Sequence, residues 1–139
     1  MVRAGPAKTV GGDEWRGRLS NAKAFRRAAE NLLELGEEGD NGNPVVVLIV
    51  LAAIGYGDAL SARFDGKVNH TNHAALPATI KAAMGNQADA QQLSRLKKIL
   101  DEKDTASYGA RIGRMDEARE MYVQLQRFAA WVESVLSQR

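Results

Sequence analysis

A carboxylate set into an apolar helical stripe is the first feature of this chain that could do chemistry. Asp58 falls four residues after Ile54 and seven after Leu51, a spacing that a helix turns into one face. A carboxylate buried on such a face is tolerated only when it is paired or protonated. Arg63, Lys67, His73, Tyr108 and Arg111 are the groups within the expected neighbourhood that could pair with it. Two readings follow: a structural ion pair or hydrogen bond, and a ligand-binding or catalytic carboxylate.

The 2 histidines of the chain are His70 and His73. Three residues apart at a helix start, they could turn two imidazoles toward one metal ion. Two nitrogens do not make a site, however, and Asn69, His70, Thr71 and Asn72 read equally well as a polar turn and cap, so no metal is expected. With 0 Cys there is no thiol nucleophile, thiolate zinc site or disulfide framework. No nucleophile elbow or phosphate-cradling glycine loop occurs, and Gly55-Tyr56-Gly57 lies inside a helical pattern rather than after a strand. No cofactor is therefore expected.

Charge adds little direction. Lys and Arg total 19 against 17 for Asp and Glu, a formal charge of +2, which is not the field of a dedicated nucleic-acid binder. Arg95, Lys97, Lys98, Arg111 and Arg114 are interleaved with Asp101, Glu102, Asp104, Asp116 and Glu117, the pattern of a solvated mixed face.

The elements that must position these groups are helical. Trp15, Leu19, Ala22, Phe25, Ala29, Leu32 and Leu33 recur in steps of three and four, giving a first helix from about Asp13 to Leu35, ended by the breakers of GEEGDNGNP. Val45 to Phe64 opens with β-branched residues that would suit a strand, but its length and Pro44 at a first turn favour a central helix. Gly55 and Gly57 within it cost about 1 kcal/mol each relative to Ala, a cost best explained by close approach of another helix. Gly66 ends that segment. A short helix through Ala83, capped by Thr71 or Asn72, follows, then a helix from near Asn86 with Leu93, Leu96 and Leu100 as its stripe.

Residues 103–114 read as a connection with some helical residues at its start. Met115 opens the last helix, with Asp116 and Glu117 in its first turn and Tyr122, Leu125, Phe128 and Val132 on its apolar face. The expected fold is an all-α, four- to five-helix up-and-down bundle occupying residues 13–139 as a single domain, without a strand. Leu48, Leu51, Ile54, Leu96, Leu125, Phe128 and Val132 should be buried together. Residues 1–12 read as a flexible leader. The longest apolar run, Val45 to Ile54, has 10 residues against roughly 20 for a membrane span, so no membrane is expected, and the absence of Cys fits a cytoplasmic protein.

The segments AAIGYGDALSARF, NHTNHAALPATI and LKKILDEKDTASYGARIGRMDEAREMYVQLQRFAAWVE, together spanning Ala52 to Glu133, resemble the HEPN superfamily of short helical bundles. The resemblance lies in helix order, a DAL segment, a His-containing turn, a Lys-Asp then Tyr-Gly connection and an amphipathic closing helix. Many members cut RNA with an Arg and a His, four to six residues between them, at the start of the last core helix. That element is missing here: Arg111, Arg114 and Arg119 have no His near them. Arg63 and His70 satisfy the spacing but fall between the second and third helices.

The resemblance implies a non-catalytic binding or interaction domain. It implies a homodimer working beside RNA or a partner protein, of the nucleotidyltransferase or toxin–antitoxin kind. The alternative is a metal-independent ribonuclease in which His70 acts as general acid or base and Arg63 holds the phosphate. The expected functional surface is the mouth between the end of the second helix and the 103–114 connection. It would gather Asp58, Arg63, Lys67, His70, His73, Tyr108 and Arg111.

Overall fold

The structure is a computed structural model that describes residues 7–69 and 72–138. Of these, 77% lie in helix and 4% in strand, an all-α bundle. Its elements are β1 (Ala7–Thr9), α1 (Glu14–Leu35), α2 (Asn43–Asp65), β2 (Lys67–Asn69), α3 (Leu76–Met84), α4 (Ala90–Leu100), α5 (Lys103–Tyr108) and α6 (Met115–Leu136). Single 3₁₀ turns at His73–Ala75 and Gly85–Gln87 lead into and out of α3.

α2 is the axis of the bundle. Ile49, Ala52, Ala53, Tyr56, Ala59 and Leu60 are fully buried, because α1, α3 and α6 pack around a helix that is apolar on nearly every side. By length and composition α2 could cross a bilayer, a reach that the ten-residue run understated. In the bundle, 78% of its most apolar window is buried, as in a core helix. Pro44 sits in its first turn. Gly66, at φ 63°, supplies the left-handed residue that ends it.

Both glycines inside α2 mark close approaches, as their helix cost suggests. A Cβ on Gly55 would lie 2.9 Å from the Ala22 Cβ and 3.3 Å from the Arg18 carbonyl oxygen of α1, and one on Gly57 would lie 2.6 Å from Leu76 Cδ2 of α3. The pairings of Gly55 with Ala22 and of Asp58 with Arg18 make α1 and α2 antiparallel. α6 closes the other side of α2, burying Leu125, Phe128, Ala129 and Val132.

Four local expectations are corrected. Residues 7–9 do not belong to a loose leader: β1 pairs antiparallel with β2, Lys8 opposite Val68, and Val68 is fully buried beneath this two-stranded ribbon. A fully helical reading missed the ribbon because two three-residue strands carry no detectable alternation. α4 starts at Ala90 rather than near Asn86, since Gly85 takes φ 61° and the Asp89 carboxylate is the cap, accepting from the Gln91 and Gln92 amides at 2.9 and 3.3 Å. Of the expected core set, Ile54, Leu96, Leu125, Phe128 and Val132 are buried, whereas Leu48 is half-buried and Leu51 is 38% exposed. Leu48 still packs against the core, whereas Leu51 keeps contact with solvent.

Candidate functional site

Asp58 is buried, and its partner is a residue not among the five candidates. Arg18 of α1 donates from Nη1 to Asp58 Oδ2 at 3.1 Å and from Nη2 to Glu14 Oε1 at 2.9 Å. One guanidinium thus bridges a buried carboxylate of α2 and a half-buried carboxylate one turn earlier on its own helix. Burial pushes the Asp58 carboxyl up to about 6, against the opposing pull of Arg18. Desolvation wins because only Oδ2 is hydrogen-bonded, while Oδ1 is buried with no partner.

The expected mouth does not assemble around Asp58. Asn43, in the first turn of α2, donates from Nδ2 to the Arg111 carbonyl at 2.8 Å and accepts at Oδ1 from the Gly113 amide at 3.0 Å. The 109–113 connection is therefore pinned to the opposite end of α2 from Asp58, about 22 Å away along the helix axis. Arg111 itself grips Glu117 with two hydrogen bonds of 2.7 and 2.9 Å. Glu117 also accepts from the Arg114 amide at 3.3 Å, half of a capping box for α6.

The other expected members scatter. Arg63 lies exposed in the last turn of α2, its guanidinium 5.7 Å over the Phe64 ring. Lys67 is exposed on β2, where its carbonyl accepts from the Ser61 hydroxyl. His73 opens the turn before α3, and burial, with the Lys103 ammonium of α5 nearby, lowers its pKa, which keeps the imidazole neutral at neutral pH. Lys103 at the start of α5 thus lies near His73. Tyr108 closes α5, and its backbone alone is described. His70 lies outside the described residues, and with it the His70–His73 and Arg63–His70 pairs. Among the described residues, no group of three or more His, Asp or Glu side chains could hold a metal ion.

Polar groups that sequence reasoning missed form a second seam, between α1 and α6. Glu133 takes Lys23 at 3.3 Å and Arg26 at 3.5 Å, and the Tyr122 hydroxyl donates to Glu30 at 3.2 Å. Tyr56 of α2 faces Arg26 there, and burial raises its phenol to about 12, so it stays protonated. Arg18 had a legible signal. It stands four residues before Ala22 and seven before Phe25, on the stripe that α1 buries, as Asp58 does on α2.

A separate concavity lies where α4, α5 and the start of α6 meet α2. Its volume is about 740 Å³, with Val46, Ile99 and Met121 offering apolar surface and with Lys98, Arg111 and Arg114 set among Asp101, Glu102, Glu117 and Glu120. It fits a segment with mixed polarity better than a polyanion, which would meet more carboxylates than cations. No protein-family model and no curated protein sequence matches the chain.

Proposed function

We propose that the chain is a non-catalytic, HEPN-like interaction domain that acts in the cytoplasm as a homodimer. Its second partner is a protein of the nucleotidyltransferase or toxin–antitoxin kind. The observation that carries the non-catalytic reading is the separation of Asp58 from Arg111. Among the described residues the one buried carboxylate, Asp58, is tied to Arg18 toward one end of α2, and the best-placed cation of the connection is tied to Glu117 at the other. The two groups therefore do not share one site. The mixed-charge concavity between α4, α5 and α6 supports a polypeptide rather than RNA as the partner.

Incubation with mixed RNA in the absence of metal tests this reading, and the expected result is intact RNA. Cleavage that disappears in both Arg63→Ala and His70→Ala would replace it with the ribonuclease alternative. Cleavage that survives both would place a catalytic site elsewhere on the chain.

A further inference from the structure

Asn41, in the turn that leads into α2, is the one asparagine of the chain followed by glycine. Each of the others, from Asn21 to Asn86, precedes a residue that carries a side chain. The distinction is chemical. A backbone nitrogen can attack the side-chain amide carbon of the residue before it, and glycine, with no Cβ, leaves that approach open.

Packing keeps the glycine in place. Gly42 is buried, and a Cβ on it would lie 2.5 Å from the Arg114 carbonyl oxygen and 3.3 Å from the Ala118 Cβ of α6. No larger residue fits there unless backbone moves. Asn41 itself is exposed, so water reaches its amide.

The two groups that would react are held in opposite senses. Asn41 Oδ1 accepts from the Asn43 backbone amide at 2.9 Å. This closes a turn whose ring contains both Asn41 Cγ and Gly42 N, the atoms that would join. The same amide aims a donor at the oxygen on which negative charge would develop, as in an oxyanion hole. The nucleophile, by contrast, is withheld, because the Gly42 amide donates to the Gly113 carbonyl at 2.9 Å. Gly113 is fixed in turn by the Asn43 side chain, whose Oδ1 accepts from the Gly113 amide at 3.0 Å while Nδ2 donates to the Arg111 carbonyl at 2.8 Å. Asn43 thus supplies the activating donor from its backbone and the restraint from its side chain.

We propose that Asn41–Gly42 is a site of spontaneous deamidation, primed by the Asn43 amide and gated by the Gly113 carbonyl. When the 109–113 connection opens, the Gly42 nitrogen gives up its proton and attacks Asn41 Cγ. The Cγ–Nδ2 bond breaks, the amide nitrogen leaves as ammonia with that proton, and a succinimide remains. Water then opens the ring at either carbonyl, leaving aspartate or isoaspartate at position 41. The isoaspartyl form carries the main chain through its side-chain carbon, a methylene longer, so Gly42 no longer falls in register with Gly113. Asn43, Arg111, Gly113 and Arg114 all line the concavity beside α4 and α5, and this product loosens that wall without return.

The experiment uses the full chain at mildly alkaline pH, native or unfolded in urea, with peptide mass mapping to follow conversion of amide to acid at each asparagine. Position 41 should convert, as a mixture of aspartate and isoaspartate. The native chain should react at least about tenfold more slowly than the unfolded one, since it reacts only from the open state. In urea below the unfolding transition, conversion should rise in step with hydrogen exchange of the Gly42 amide, because both wait on the same opening. Asn43→Ala keeps the backbone donor and removes the side-chain restraint. With its circular dichroism spectrum retained, it should convert severalfold faster than the native chain, and at the same rate once unfolded. An unfolded chain in which position 41 converts no faster than the other asparagines overturns the chemistry. Equal rates in the native and unfolded chains, or conversion that does not follow Gly42 exchange, overturn the gate whether or not Asn43→Ala folds. A folded Asn43→Ala that converts no faster overturns it as well.

Discussion

Arg18 and Asp58 meet at 3.1 Å across the α1–α2 seam, a half-buried guanidinium against a carboxylate whose side chain is 6% exposed. The pair joins two helices that already pack through Gly55 and Ala22, so its geometry is held by the backbone on both sides. A charge pair set this deep stabilises less than its Coulomb energy suggests, because both ions lose water. Its main consequences are a pH dependence and a severe penalty for removing one partner.

Asp58 has its carboxyl raised from 3.8 to about 6 by burial, partly offset by Arg18. A group with a folded pKa above its unfolded value binds its proton more tightly in the native state. Its contribution is therefore full below pH 4 and is lost as pH rises through 6. Chemical denaturation of the native protein should show this group's contribution falling by about 3 kcal/mol at most between those limits. In Asp58→Asn that component should vanish, and an identical pH profile in the two proteins would contradict the assignment.

Replacing Arg18 by Ala leaves Asp58 buried without its counterion. The expected cost at pH 7 is about 2–3 kcal/mol, toward the lower end for breaking a buried pair because Arg18 is itself partly exposed. Much of the loss should be recovered at pH 5, where Asp58 takes up a proton. In the double variant Arg18→Ala, Asp58→Asn the two changes should cost less than their sum, which denaturation of the four proteins measures.

Gly55 and Gly57 should respond differently to alanine. At Gly55 the added Cβ meets Ala22 and the α1 backbone at 2.9 to 3.3 Å, and a backbone cannot rotate away. The expected net loss is about 1–3 kcal/mol despite the gain in helix propensity. At Gly57 the obstacle is the Leu76 side chain at 2.6 Å, which can change rotamer, so the loss should be smaller. Thermal denaturation of the two variants decides the order.

Leu125 is fully buried and Leu51 is 38% exposed. Leu125→Ala should cost about 2–5 kcal/mol through lost transfer energy and the cavity left behind. Leu51→Ala should cost under about 1 kcal/mol. Equal losses by urea denaturation would mean that Leu51 is covered in solution.

The sequence by itself determined the helices, because hydrophobic periodicity is local information. The stripes of α1 and α6 repeat every three to four residues, and the limits at Gly36, Gly66 and Met115 were marked by breakers and caps that act within one turn. It also determined that Asp58 would sit on a buried face and need a partner, and that Gly55 and Gly57 would be places of close approach. Which residue pairs with Asp58 was not decidable from spacing, since Arg18 lies 40 positions away and reaches it only once α1 folds back along α2. The mouth expected to gather Asp58 and Arg111 depended on where the 109–113 connection would land. Asn43 anchors it at the far end of α2, a choice made by hydrogen bonds between segments about 70 residues apart. The β1–β2 ribbon was hidden for the same reason: three residues on each side have too little pattern to reveal a strand. Their pairing exists because the Gly66 turn brings Lys67–Asn69 beside the start of the chain.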